Sequence, residues 1–312
     1  MRITVNSGGP QALEEWRGHF RACDPAIEVV GWDEARSDPA GIAYALVWAP
    51  EAGRLAALPD LRLVISAGAG VDNILADPLL PPGLPIARMI TDSTAGVMSE
   101  YVLTATLMLI RQARRMALNQ ADRRWQTLDA PPRIEQVRVG VMGLGQLGAP
   151  TVQRLAGIGF QVAGWSRGRA SLPGVQAYAG PDELAAFLAR TDVLVCLLPS
   201  TDATRGILNA ATFAGLPRGA CVINAGRGDH LLVPDLLAAL DSGQLSGAVL
   251  DVFDVEPLPA ESPLWQHPGV TVTPHYGSTP DRRERARKAA DMMQRWERGL
   301  PLPQLYDRQR GY

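Results

Sequence analysis

The chain has 312 residues, 46% hydrophobic and 20% charged, which is two ordinary domains' worth of length and excludes a disordered chain. Lys+Arg 30 against Asp+Glu 32 leave a net charge of −2, so no global basic field draws in nucleic acid or an anionic membrane. Three cysteines without CxxC or Cys/His spacing argue against a disulfide framework or a metal site, and apolar runs well short of roughly 20 residues argue against a membrane span. The N-terminus reads as a strand and turn, with no signal-peptide pattern, so a reduced, cytoplasmic protein is expected. The basic residues are almost all Arg, Lys288 being the only lysine.

In chain order, short β-rich apolar runs alternate with helical patterns, which predicts parallel sheets with helices on their faces. The first third offers strands at Arg2–Val5, Ile27–Val30, Tyr44–Trp48 and Leu63–Ser66, with helical stretches at Ala12–Phe20 and Ala52–Leu58. One long helix is expected over Thr94–Met116, followed by a polar excursion at Ala121–Gln136 that contains Pro131-Pro132. Six further strands are expected at Val137–Met142, Gln161–Trp165, Val193–Leu198, Ala220–Asn224, Gly247–Asp251 and Val270–Thr273. Helices fall between them at Leu147–Ile158, Asp182–Arg190 and Pro234–Ser242, which together make a dinucleotide-binding domain. Asp281–Glu297 reads as a charged amphipathic helix whose charges form a solvated face.

Val139-Gly140-Val141-Met142 runs into Gly143-Leu144-Gly145-Gln146-Leu147-Gly148 and then a helix. A lone G-x-G-x-x-G is weak, but strand before and helix after is the context a pyrophosphate loop needs. Gly143 suits the tight turn, Gly145 close backbone approach to phosphate, and Gly148 close helix packing, with Gln146 and Leu147 in the cradle. About 20 residues on, where an NAD site carries a carboxylate for the ribose, the chain has Ser166 followed by Arg167 and Arg169. Guanidinium groups pair with phosphate, so NADP(H) is expected, with NAD(H) as the alternative.

Polar signals follow at three strand ends: Asn224-Ala225-Gly226-Arg227-Gly228, Leu250-Asp251-Val252-Phe253 with Glu256-Pro257, and Thr273-Pro274-His275. Ligands of open α/β sheets sit at such ends, so these can converge. Singly, each residue has a bland alternative as a surface Arg, a solvated Glu or a satisfied His.

With these motifs and Gly68-Ala69-Gly70-Val71-Asp72-Asn73, the chain resembles the D-isomer-specific 2-hydroxyacid dehydrogenase family over nearly its whole length. Trp165-Ser166-Arg167, Pro173-Gly174-Val175-Gln176, Pro263-Leu264-Trp265-Gln266-His267-Pro268 and the ending Arg310-Gly311-Tyr312 point to its glyoxylate/hydroxypyruvate reductase A branch. The resemblance implies two doubly wound α/β domains: a Rossmann cofactor domain (100–280) inserted in a flavodoxin-like substrate domain (1–99 and 281–312). It also implies a homodimer, and NADPH-dependent reduction of glyoxylate and hydroxypyruvate. Arg227 would hold the 2-keto acid, His275 would be the general acid, and Glu256 would orient and charge the imidazole. Ala69 and Gly70 amides would bind the substrate carboxylate, Trp48 would limit substrate size, and Trp125 would lie on a dimer arm. Asp251 is grouped with the cofactor-binding positions, while His19, His230 and His267 read as structural or surface. After His275, Tyr276-Gly277-Ser278-Thr279 departs from the branch pattern, which bears on the pocket wall. The alternatives are an enzyme for a bulkier 2-keto acid and, in a different class, a dinucleotide-sensing binding protein of the same fold. Phosphoglycerate dehydrogenase is disfavoured by the short C-terminus, and formate dehydrogenase by a Glu where it has Gln.

Overall fold

A computed structural model describes residues 1–278, 281–302 and 304–308; Thr279 and the terminal Arg310-Gly311-Tyr312 lie outside the described residues. The chain divides into two compact units, Met1–Asp92 with Pro280–Tyr312, and Ser93–Thr279. The first opens with β1 (Arg2–Asn6), α1 (Leu13–Cys23), β2 (Glu28–Gly31), α2 (Glu34–Ser37), β3 (Ile42–Val47), β4 (Leu63–Ser66), α3 (Asp72–Leu75) and β5 (Ile86–Ala87). Next come α4 (Asp92–Ile110), α5 (Ala113–Ala121), β6 (Arg138–Met142), α6 (Gly148–Ile158), β7 (Gln161–Ser166), β8 (Gln176–Ala179) and α7 (Leu184–Ala189). The second unit finishes with β9 (Val193–Cys196), α8 (Ala210–Ala214), β10 (Ala220–Asn224), α9 (Val233–Asp241), β11 (Leu245–Leu250) and β12 (Val270–Val272). Helix α10 (Arg282–Glu297) returns the chain to the first.

The first sheet is parallel, in the flavodoxin-like order β2-β1-β3-β4-β5. Tyr44 and Leu46 pack with Trp16, Phe20, Ala286 and Met293, whereas Ala45 and Val47 join Val64, Ile74 and Ile86. Alternate residues of one strand thus feed two cores, which is why β3 reads as a continuous apolar run. Helix α10 starts at Asp281, whose side chain accepts from the Arg283 amide, and buries Ala286, Ala289, Ala290, Met292 and Met293.

The second sheet has the order β12-β11-β10-β9-β6-β7-β8, all parallel: the Rossmann order with a seventh strand. Its order reverses between β6 and β9, which puts a crevice at the C-terminal end of β6.

Several expectations need correction. Ala52–Leu58 is a series of turns, because Gly53 takes φ 77° and its amide is tied to Asp77 Oδ2 at 2.9 Å. The helix expected over Thr94–Met116 is two helices, broken where Gln112 adopts the left-handed conformation at φ 53°. The apolar stripe ends at Ile110 and a polar Arg111-Gln112 follows, so no buried face carries the first axis further. Strands β5 and β8 and helices α2, α3 and α8 are too short for periodicity to reveal. Helix α4 is more apolar than expected, long and apolar enough to cross a membrane with mean hydropathy 1.3 over Ser93–Ile110. Its Met98, Val102 and Ala105 lie in the core formed with the β6 and β9 side chains, while 33% of that window is buried in all.

Candidate active site

The crevice at β6 is built by glycines. Gly143 takes φ 98°, and a Cβ there would stand 2.8 Å from Leu197 O after β9, so the turn admits no side chain. A Cβ on Gly148 would fall 1.7 Å from Gly143 O, the close approach that seats α6 against the strand. Gly145 differs: nothing in the protein lies within 4 Å of where its Cβ would be. Its smallness meets no demand of the chain itself and fits a pyrophosphate lying on the loop at the α6 N-terminus. Gly148→Ala should cost about 1–3 kcal/mol through overpacking and lower the thermal unfolding midpoint, which thermal unfolding curves would show.

The end of β7 carries no carboxylate. Ser166 Oγ donates to Gly168 O at 2.8 Å, and Arg167 and Arg169 follow. Arg169 donates to Ala177 O at 2.9 Å and is ion-paired with Glu183, a carboxylate the sequence reading did not connect to it. Glu183 therefore competes with any phosphate for that guanidinium.

The three candidate residues, Arg227, Glu256 and His275, follow β10, β11 and β12, which are adjacent in the sheet. The register aligns Asn224 with Leu250 and Leu250 with Val272, so the three strand ends are flush and their loops emerge together. His275 Nδ1 lies 2.8 Å from Glu256 Oε2, and Glu256 Oε1 accepts from the Phe253 amide at 2.9 Å. Burial pushes the Glu256 carboxyl up, but bonds from His275 and Phe253 and the Arg227 charge outweigh it and hold it below the ordinary range. Glu256 thus stays ionised and can hold a proton on His275 Nδ1.

Arg227 sits on a braced loop. Asn224 Nδ2 donates to Arg227 O at 2.9 Å, and Arg227 Nη1 donates to Gly226 O at 2.8 Å. A Cβ on Gly228 would stand 1.9 Å from Phe253 C, so this loop packs directly on the one leading to Glu256. His230 is fully buried, and its Nδ1 accepts from the Arg227 amide at 3.0 Å. Its proton is therefore on Nε2, which faces Pro199 O at 3.2 Å. It serves as a structural brace for Arg227, a role visible in sequence only as its place three residues on.

Asp251 is 1% exposed and both carboxylate oxygens are engaged. Oδ1 accepts from Thr273 Oγ1 at 2.6 Å and the Tyr276 amide at 2.8 Å, and Oδ2 from the Gly277 amide at 2.8 Å. Its evident work is to hold the His275 loop, which sequence grouping with the cofactor-binding residues did not suggest.

In the first unit, Trp48 follows β3 and lies over Gly68, where a Cβ would come within 2.4 Å of the indole. Ser66 Oγ donates to Gly70 O at 2.6 Å, shaping the turn that holds Ala69 and Gly70 half-exposed. Trp125 is 99% exposed in an irregular stretch, so packing within its own chain does not explain it. His19 and His267 pair with Glu15 and Asp241 at the surface.

The chain is similar to known proteins of one family. A family model described as D-isomer specific 2-hydroxyacid dehydrogenase, NAD binding domain, matches residues 103–277. A D-isomer specific 2-hydroxyacid dehydrogenase from Xanthobacter autotrophicus Py2, solved with NADPH and MES, is 39% identical over 100% of this chain and 99% of its own, with TM-score 0.91. An NADPH-dependent glyoxylate/hydroxypyruvate reductase from Sinorhizobium meliloti, solved with NADP and sulfate, gives the same identity, coverage and score: 39%, 100% and 99%, and 0.91. A probable 2-hydroxyacid dehydrogenase from Rhizobium etli CFN 42, solved with NADP, HEPES and L(+)-tartaric acid, is 36% identical over 100% and 99%, with TM-score 0.88.

Proposed function

This chain belongs to the D-isomer specific 2-hydroxyacid dehydrogenase family, and from that premise we propose that it reduces glyoxylate to glycolate and hydroxypyruvate to D-glycerate with NADPH. It is an NAD(P)-dependent dehydrogenase; NADP(H) is its preferred cofactor, with NAD(H) as the alternative. The observation that carries the reading of keto-acid reduction is the 2.8 Å His275–Glu256 pair, with Arg227 close enough for its charge to act on Glu256.

Arg227 binds the carboxylate and carbonyl oxygen of the keto acid through its planar guanidinium, polarising the carbonyl. His275, held through Nδ1 by Glu256, protonates the carbonyl oxygen from its other ring nitrogen, and takes that proton back in the reverse reaction. A nicotinamide dinucleotide, when bound, would supply the hydride for this reduction. Gly143, Gly145, Gln146, Leu147 and Gly148 cradle the pyrophosphate, Arg167 and Arg169 hold the 2′-phosphate beside Ser166, and Asp251 supports the cofactor end from the loop it braces.

The proposal includes a cytoplasmic homodimer. Three free cysteines, two of them buried, suit a reducing compartment, and the exposed Trp125 suits contact with a second copy.

Initial rates of NADPH and NADH oxidation with glyoxylate and hydroxypyruvate test the reading. Turnover favouring NADPH is expected; no turnover across a panel of 2-keto acids would overturn it. Ser166→Asp should lower kcat/KM for NADPH by roughly 10–100-fold, because a carboxylate placed against the 2′-phosphate repels it. NADH turnover should be retained, and a variant with an unchanged NADPH to NADH ratio would show that the β7 end does not read the phosphate.

A further inference from the structure

The loop that carries His275 is held by more than its own turn. His275 has φ 53°, the left-handed region that a non-glycine residue occupies at a cost and keeps only where its surroundings hold it. Its amide donates to Asp251 O at 2.9 Å and Thr273 O at 3.1 Å, while the next two amides, of Tyr276 and Gly277, are bound by the Asp251 carboxylate. Asp251 therefore grips three successive backbone amides at and after His275.

That grip is tied in turn to helix α4. Thr273 has one hydroxyl proton, and it goes to Asp251 Oδ1 at 2.6 Å. The 2.7 Å contact between Thr273 Oγ1 and Tyr101 OH must then run the other way, with Tyr101 donating and Thr273 accepting. Burial, and next the Asp251 charge, push the Tyr101 hydroxyl well above its ordinary range, so it remains a protonated donor at any working pH. Gly277 fits the same arrangement. A Cβ there would lie 2.7 Å from Asp251 Oδ2 and 3.1 Å from Tyr101 Cδ1, so the glycine that departs from the branch pattern leaves room for this tyrosine. A second tie, from Ser278 Oγ to Thr94 O at 3.2 Å, joins the end of the loop to the first turn of α4.

We propose that Tyr101 and Thr273 are positioning residues for His275, acting through a directed relay from Tyr101 to Thr273 to Asp251 that fixes the loop in its left-handed conformation. The inference rests on His275 being the general acid. Neither residue touches the imidazole in this relay, so their effect must pass through the placement of His275.

Tyr101→Phe removes one hydroxyl and leaves the ring beside Gly277. It is expected to lower kcat for glyoxylate roughly three- to tenfold, the range of one lost hydrogen bond, with KM for NADPH unchanged. Thr273→Val should reproduce the loss and Thr273→Ser should recover most of it. The decisive readout is the double variant: in a His275→Gln background, Tyr101→Phe should have no further effect on kcat. A multiplicative loss there would overturn the proposal, as would full activity in both Tyr101→Phe and Thr273→Val. A readout independent of turnover separates this from failure of the enzymatic reading. The chain has four histidines, so the His275 imidazole signal in a ¹H–¹⁵N spectrum is identified by its loss in His275→Gln. Tyr101→Phe should move that signal while those of His19, His230 and His267 stay in place; an unmoved His275 signal overturns the relay whatever the protein's substrate.

Discussion

His275→Gln is expected to lower kcat/KM for glyoxylate roughly 10²–10⁴-fold, the usual contribution of a placed general acid, with NADPH affinity unchanged. The amide of Gln can accept or donate a hydrogen bond, but it cannot deliver a proton to the carbonyl oxygen. Steady-state kinetics with a separate NADPH fluorescence titration checks both halves, and a loss under tenfold would remove His275 from the chemistry. Glu256→Gln supplies the companion test, since it keeps a hydrogen-bonding partner for Nδ1 and removes the charge. In the unmodified protein Glu256 titrates below its ordinary value of 4.5, so the stabilisation from its hydrogen bonds is fully present above that pH. It is lost as pH falls through the lowered value. Acid inactivation of Glu256→Gln should therefore no longer include this contribution, and a pH–stability curve compares the two proteins directly.

Arg227→Lys is expected to be nearly as damaging as Arg227→Ala, with kcat/KM for keto acids down by about 30–1000-fold, equivalent to about 2–4 kcal/mol. A lysine keeps the charge but carries its donors on one nitrogen, where the guanidinium presents a planar fork to carboxylate and carbonyl oxygen together. The structure adds a reason for limited tolerance: Arg227 Nη1 is held on Gly226 O, and its backbone by Asn224 and His230, so a flexible ammonium would lose a preset geometry. Most of the loss should appear in KM for the keto acid, with thermal stability little changed. If Arg227→Lys kept more than a third of wild-type kcat/KM, bidentate recognition would be wrong.

The residues of the candidate site were largely readable because each sits in a local pattern. The glycine loop is bracketed by a strand and a helix, and Arg227, Glu256 and His275 follow apolar runs that match β10, β11 and β12. What escaped was support rather than chemistry. Tyr101 lies among the apolar positions of α4 and reads as core, yet its hydroxyl reaches Thr273, 172 positions away. Glu183 looks like an ordinary acidic residue in the first turn of a helix until Arg169 is found paired with it. Long-range partners of this kind leave no periodicity behind.

The sequence by itself determined the class of fold and singled out the candidate site residues, because period-2 and period-3.6 burial, glycine placement and residue chemistry are properties of short stretches. Only the tertiary structure decided that β10, β11 and β12 are neighbours in a register that ends Asn224, Leu250 and Val272 flush. It also decided that the long apolar helix breaks at Gln112 and that His275 takes φ 53° under the hold of a buried Asp251. Those outcomes depend on which distant segments pack together, and packing is set by long-range contacts within each unit's cores.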